Sequence, residues 1–233
     1  SKMSMSSVVC VLAILVSVTV AQQAWNIKKC PSPLNWSETA NSSSVPFFLS
    51  DCSGLAKQST LLHACYDNSY LRFRFDATDN NIYSPYTQCN DPLYNDDVVE
   101  VFVAPYRGSP VHNYFEFEVS PNNVLFAANV SNPALTCNGI VDTALSCKLF
   151  EYSAGINSQK TAWWAELSVP YTVLTSLPHA KPNPSGLVTQ YTINFFRVDT
   201  PKGQSKEYSC WVCDLSNPPC FHKPAYFGIL NLT

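Results

Sequence analysis

Three short segments of this chain alternate apolar and polar residues with a period of two, which leaves few options for the fold. In 98–104, Val99, Val101 and Val103 fall on one side and Glu100 and Phe102 on the other. In 114–119, Phe115, Phe117 and Val119 oppose Tyr114, Glu116 and Glu118, and in 70–76, Leu71, Phe73 and Phe75 oppose Tyr70, Arg72, Arg74 and Asp76. Successive side chains of a strand point to opposite faces, so each segment reads as a strand with one apolar face. Taken as neighbours, the three make a sheet with an apolar back and a polar, partly aromatic front, and the front is the expected ligand face. Further strand-like runs occupy 124–130, 163–169, 189–197 and 226–232, separated by turn chemistry such as Ser120-Pro121-Asn122-Asn123. A single helical turn is expected after Pro170, which can open a helix but cannot continue a ladder. No long stretch has a 3.6-residue apolar period, so helix is scarce. Many strands with one apolar face each need a second sheet to bury it. The expected fold is therefore an all-β, antiparallel, disulfide-bonded β-sandwich of jelly-roll or immunoglobulin-like type.

The first residues carry Lys2, then an apolar run from Val8 to Val20 and the small Ala21. The run is shorter than the roughly 20 residues of a spanning helix and matches a secretory signal peptide over 1–21. A Ser- and Asn-rich arm or loop is expected over 22–44 and a single sandwich domain over 45–233, with one Pro-rich surface loop at 178–186. The expected product is secreted, with no membrane association after cleavage. Of ten cysteines, Cys10 lies in the leader. The remaining odd number predicts disulfides plus one unpaired or intermolecular thiol, which leaves the oligomeric state open. Cys137 and Cys147 bracket a short segment that reads as a stapled loop. Asn35, Asn41, Asn129 and Asn231 stand in Asn-x-Ser/Thr sequons and predict a glycoprotein.

Only 13% of residues are charged and the net charge is −3. A polyanion binder needs a basic excess to release counterions, so nucleic acid is not an expected partner. A surface rich in Asn, Ser, Thr and Tyr suits a neutral ligand such as a sugar, and equally suits a glycosylated protein.

Six segments in order, LYNDDVVEVF (93–102), YFEFEVSPNNVLF (114–126), WWAELSVPYTVL (163–174), NFFRVD (194–199), EYSCW (207–211) and FHKPAYFGIL (221–230), resemble carbohydrate-binding module family 9 and its eukaryotic relatives within the DOMON-like sandwiches. The resemblance implies a non-catalytic module that takes polysaccharide or oligosaccharide between two aromatic side chains. The first aromatic, commonly Trp in the family, corresponds to Tyr94, six residues before Glu100; the second corresponds to Trp211. Glu116 corresponds to a hydrogen-bonding position on the neighbouring strand. With Arg72 from the polar face, these carboxylates supply acceptors and donors for hydroxyls, while the rings pack on the C–H face of a pyranose. The family's association with carbohydrate catabolism and glycosidic-bond hydrolysis comes from the enzymes to which such modules are appended. No cofactor is expected; a structural calcium, which the family often binds, would draw on Asp76, Asp79, Asn80, Asp96 and Asp97.

Each residue has a plainer role available. Tyr94 can cover a sandwich edge, Trp211 can pack on a disulfide, and Arg72, Glu100 and Glu116 can form a cross-strand ladder worth under about 1 kcal/mol per pair. Cys210, Cys213, Cys220 and His222 have the residue types of a zinc site, but in a secreted chain disulfides explain them more simply. Glu116 and Glu118 are considered as a glycosidase pair and read as a surface pattern, so no catalysis is expected. The rival reading is a structural or cell-surface glycoprotein that keeps the sandwich and has lost the sugar site. A haem or redox domain would need an axial His or Met near the ligand face, where none is placed by the sequence.

Overall fold

The computed structural model describes residues 23–38, 46–105, 108, 110–177 and 188–233; the expected leader and the 178–186 loop lie outside these, as does Asn41. In chain order the strands are β1 (Ala24–Ile27), β2 (Phe48–Leu49), β3 (Thr60–Tyr66), β4 (Tyr70–Thr78), β5 (Val98–Pro105), β6 (Asn113–Val119) and β7 (Leu125–Ser131). They continue with β8 (Val141–Ala144), β9 (Glu151–Ile156), β10 (Ala162–Pro170), β11 (Gln190–Asp199), β12 (Glu207–Cys210) and β13 (Gly228–Leu232). The one α-helical turn described, α1 (Tyr171–Leu174), follows Pro170 as expected.

The main sheet runs β1-β13-β11-β5-β6-β7-β8, with β12 and β2 attached beside β11, and the second runs β3-β4-β10-β9. All pairings are antiparallel except β1 with β13. The apolar faces read from the period of two meet between the sheets: Val99, Val101, Val103, Phe115 and Phe117 from one, Leu71, Phe73, Phe75, Trp163 and Leu167 from the other, all buried. Phe195 of β11 takes Phe73 and Phe75 edge-on at 5.4 and 6.0 Å, a favourable geometry for aromatic pairs.

Two expectations need correction. β4 is not a neighbour of β5 and β6 but faces them across the core, because its hydrogen bonds go to β3 and β10. Its polar side chains, Arg72 among them, therefore look out from the far side of the molecule. The segment expected to be an arm supplies β1, whose Ile27 is buried and whose Trp25 packs against Phe195 and Trp211 at 6.2 and 6.1 Å. Apolar residues on alternate positions of a four-residue strand are too few to stand out in a sequence.

Disulfides join Cys30 to Cys65, Cys52 to Cys213, Cys89 to Cys147 and Cys137 to Cys220, leaving Cys210 free and buried. The Cys137–Cys147 stapled loop is thus not formed. Two of the bridges tie down the segment 211–227, which lies across the outer face of the main sheet. Phe221 stacks on Phe196 at 4.3 Å, and Phe227 meets Phe102 and Tyr114 edge-on. The expected polar front is in large part a second aromatic core under this strap.

Where the strap begins, β11 changes partners: its first half pairs with β13 and its second with β12. Asn194 fills the gap, accepting from the Phe195 and Val212 amides and donating to the Val212 carbonyl. Trp211 donates its backbone N–H to Phe195 O, and its ring lies over Gly228. A Cβ at 228 would run into the Trp211 ring and come within 2.7 Å of Gln23 O. Gly228→Ala is expected to lower stability by about 1–3 kcal/mol through overpacking, read as a shift in the urea midpoint. Gly54→Ala, where the added carbon meets nothing within 4 Å, is expected to leave the midpoint nearly unchanged.

Candidate functional site

The strap leaves one part of the outer face open. There a cleft of about 310 Å³ is floored by Glu100, Phe102 and Glu116 and walled by Tyr94, Phe126, Asp142, Tyr208, Phe221 and His222, with Asn95 and Lys206 also lining it. That volume is near the lower end for small-molecule sites. Tyr94 stands on the single turn of 3-10 helix Leu93–Asn95, with its ring half exposed at 49% and edge-on to Phe126 at 6.4 Å. Lys206 donates to the main-chain oxygen of Asn95 and so ties the β11–β12 connection to that turn.

The strand register explains the floor. Glu100 lies directly opposite Glu118, and Phe102 opposite Glu116, so three carboxyls of one sign gather on one face. Their oxygens lie within 4.8 Å of one another, and all three residues are buried. Glu100 Oε1, Glu116 Oε2 and both oxygens of Glu118 lack a well-formed hydrogen bond, although the Tyr94 backbone and the Glu116 carboxyl come near Glu118. His222 stands beside them, with Nε2 4.0 Å from Glu116 Oε2 and Nδ1 2.8 Å from the Tyr114 hydroxyl. Asn132 donates to that hydroxyl, which directs the phenol proton at Nδ1 and places the imidazole proton on Nε2, the nitrogen facing Glu116.

The model of the carbohydrate-binding family 9 matches residues 60–232. The chain belongs to carbohydrate-binding family 9. A protein of Arthroderma benhamiae (strain ATCC MYA-4681 / CBS 112371) named "Extracellular protein" is 26% identical over 182 residues, covering 72% of this chain and 76% of that one. A structure from Bacteroides uniformis ATCC 8492 with a provisional carbohydrate-binding assignment has a TM-score of 0.69 at 13% identity, over 91% of this chain and all of that one. A family 9 module from Caldicellulosiruptor kristjanssonii, solved with cellotriose and with glucose, matches with a TM-score of 0.57 at 13% and 12% identity, over 91% of this chain and 94% and 96% of those chains. At such identities the structural matches show the shared sandwich.

In this family 9 chain the residues expected to form one site are divided. Tyr94, Glu100 and Glu116 line the cleft together. Trp211 does not: it is 1% exposed and packs on Trp25 and Phe195, because its backbone bond to β11 turns the ring into the core. As placed, it offers no face to a ligand. Arg72, on the far outer face, is held by Asp67 at 2.6 Å, Glu151 at 3.1 Å and Ser168 Oγ at 2.8 Å. Cys213 and Cys220 are spent in disulfides, which dissolves the zinc arrangement. The alternation places Glu118 with Glu116 on one face, here the cleft side; Tyr208, Phe221 and His222 lie in segments of the family resemblance to which no ligand role is assigned from the sequence, and Asp142 lies in a segment without period or motif.

Of the expected calcium donors, Asp79 and Asp97 converge with Asp199, while Asp76 turns away to Arg74 and His63 on the second sheet. Arg197 already pairs with Asp79 and Asp199 at 3.3 and 2.8 Å and reaches Thr78 O on the other sheet. Asp97 accepts from the Tyr83 and Thr200 amides. A guanidinium thus stands against two of these carboxylates and backbone amides against the third, so their oxygens are already engaged within the chain, while Arg197 Nε has no hydrogen-bond partner.

Burial dominates the titration of both clusters. It raises Glu100, further pushed by Glu116, and raises Glu118, further pushed by Glu100 and Glu116. It takes Glu116 up to about 8 and Asp97 up to about 7, and lowers His222 to about 4. A carboxyl raised on folding binds its proton more tightly in the native state, so its stabilising contribution is present at low pH and is lost as pH rises through the folded value. His222 acts in the opposite direction, but only between about 4 and 6.5. From pH 6.5 to 8 the melting temperature is therefore expected to fall, by on the order of 5 °C. Glu116→Gln should flatten that slope in a pH series of thermal melts.

Proposed function

We propose that this chain is a secreted, non-catalytic module that binds a saccharide in the cleft beside Tyr94. The observation that carries the reading is an exposed aromatic ring standing next to buried carboxyl groups in a concave site. A pyranose presents an apolar C–H face to a ring and hydroxyl protons to acceptors, and the cleft offers both. Tyr208 and Phe221 supply aromatic surface from other elements, so the aromatic contribution of the cleft does not depend on Trp211. Family 9 membership supports saccharide as the ligand class, and the Caldicellulosiruptor kristjanssonii module has been crystallised with cellotriose and glucose.

One oxygen from each of the three carboxyls lies within 4.8 Å of the others. Four disulfides suit an oxidising compartment, as does likeness to a protein named for the extracellular space. The sequons at Asn35, Asn129 and Asn231 lie at partly exposed positions compatible with a glycoprotein. The rival, a structural glycoprotein without a sugar site, is favoured by the burial of Trp211.

Titration of the secreted domain with β-1,4 gluco-oligosaccharides separates the two. Under the proposed reading the parent binds and Tyr94→Ala weakens binding about tenfold or more, while Arg72→Ala, on the far face, leaves it unchanged. No binding by the folded parent to a broad glycan panel would support the structural rival.

A further inference from the structure

The charge inside the cleft is unbalanced for a neutral ligand. Glu100, Glu116 and Glu118 lie together, Asp142 joins them on the wall, and Lys206 is the one lysine or arginine among the described lining residues. Its ammonium is engaged by Asn95 O, and His222 is kept neutral by burial. Glu100 and Glu116 are 2% and 4% exposed, both line the cleft, and each has a buried oxygen without a hydrogen-bond partner. Like charges facing each other across a strand pair are unfavourable, and a buried carboxylate without a partner is more so. A ligand that brings positive charge removes both costs.

We propose, building on the saccharide reading above, that the cleft takes a sugar carrying a free amine, as in a deacetylated hexosamine chain, and that Glu100 and Glu116 hold its ammonium, with Glu118 buried beside them. A sugar hydroxyl donates one hydrogen, whereas an ammonium donates three and carries the opposing charge, which suits the carboxyls of Glu100 and Glu116 on the floor of the cleft. The surrounding groups favour this ligand over a bare metal ion. Calcium calls for six to eight oxygen ligands; beyond the glutamates the lining offers only the side chains of Asp142, Asn95 and Tyr208 as further oxygen donors, beside the rings of Phe102, Phe126, Phe221 and Tyr94. Those rings cannot coordinate calcium; they can pack on a pyranose face and attract an ammonium through their π-electrons. No outside proton is required: a neutral amine entering the site takes the proton held among the glutamates, giving ammonium and carboxylate.

The test is calorimetry on the secreted domain at about pH 7, in physiological salt with chelator, using three β-1,4 tetrasaccharides: glucose, N-acetylglucosamine and fully deacetylated glucosamine. The expected result is binding of the glucosamine tetramer about tenfold or more tighter than either neutral one, with Glu116→Gln reducing that ratio to less than about threefold. Near-ultraviolet circular dichroism confirms that the variant is folded, and Tyr94→Ala, changed at an exposed ring, is expected to weaken the glucosamine tetramer. A glucose tetramer bound as tightly as the glucosamine tetramer overturns the inference and leaves the saccharide reading standing. No binding of any of the three overturns both. A lysine tetrapeptide bound as tightly as the amino sugar means that charge alone is recognised, and neutral-sugar binding that appears only on adding calcium makes the glutamates a metal site; either result overturns the inference.

Discussion

β5 and β6 lie in the middle of a sheet that is covered on both sides, so nearly every side chain they carry has to be accommodated without bulk water. On the inner side this is simple: their valines and phenylalanines are buried in the same core in which Phe73 and Phe75 of β4 meet Phe195 of β11 edge-on. On the outer side it requires the strap 211–227, which brings Phe221 and Phe227 over Phe196, Phe102 and Tyr114. The strap is a loop with little backbone pairing of its own, and its position depends on the Cys52–Cys213 and Cys137–Cys220 bridges. The cleft exists because that cover stops short of Glu100 and Glu116.

The second constraint joins the two sheets at the other end of β11. Arg197 is 1% exposed and reaches the Thr78 carbonyl, Asp79 and Asp199. A buried charge with this many partners fixes geometry more than it adds stability, because the desolvation penalty offsets most of the Coulomb gain. Along the same strand, on either side of Asn194, β11 exchanges β12 for β13. That exchange turns Trp211 inward over Gly228, and the ring then takes its place beside Trp25 and Phe195.

The period of two made the faces of β4, β5 and β6 readable, and both inner faces are buried as the pattern required. Periodicity specifies faces and is silent about neighbours, so Arg72 could be placed on a polar face but not on the correct one of two. β8 and β9 escaped notice because they are largely exposed or half-exposed and show no apolar stripe. Trp211 was unreadable for a different reason. Its direction follows from the Asn194 plug and the bare Gly228 surface beneath it, residues whose importance appears only once β11, β12 and β13 are aligned. In the site, Tyr94, Glu100 and Glu116 were within reach of the sequence because one strand pair and its leading turn supply all three. Asp142, Lys206, Tyr208 and His222 arrive from four other segments.

Glu118 shows how the readable and the unreadable parts combine. Alternation put it on the same face as Glu116, where it looked like surface decoration. Register puts it opposite Glu100, and it is fully buried with the backbone of the Tyr94 turn beside it. Three carboxyls in such a place work against folding above the pH at which they would share protons, and an apolar or amide side chain of similar size would be accommodated at less cost. Local inconsistencies of this kind in an otherwise consistent fold tend to mark the place where a ligand completes the structure. Here the inconsistency is chemically specific: acidic groups gathered without a basic partner, beside an exposed ring. A ligand that satisfies the ring alone would leave the carboxyls as they are, so the glutamates, more than Tyr94, define what distinguishes this cleft from a generic sugar site.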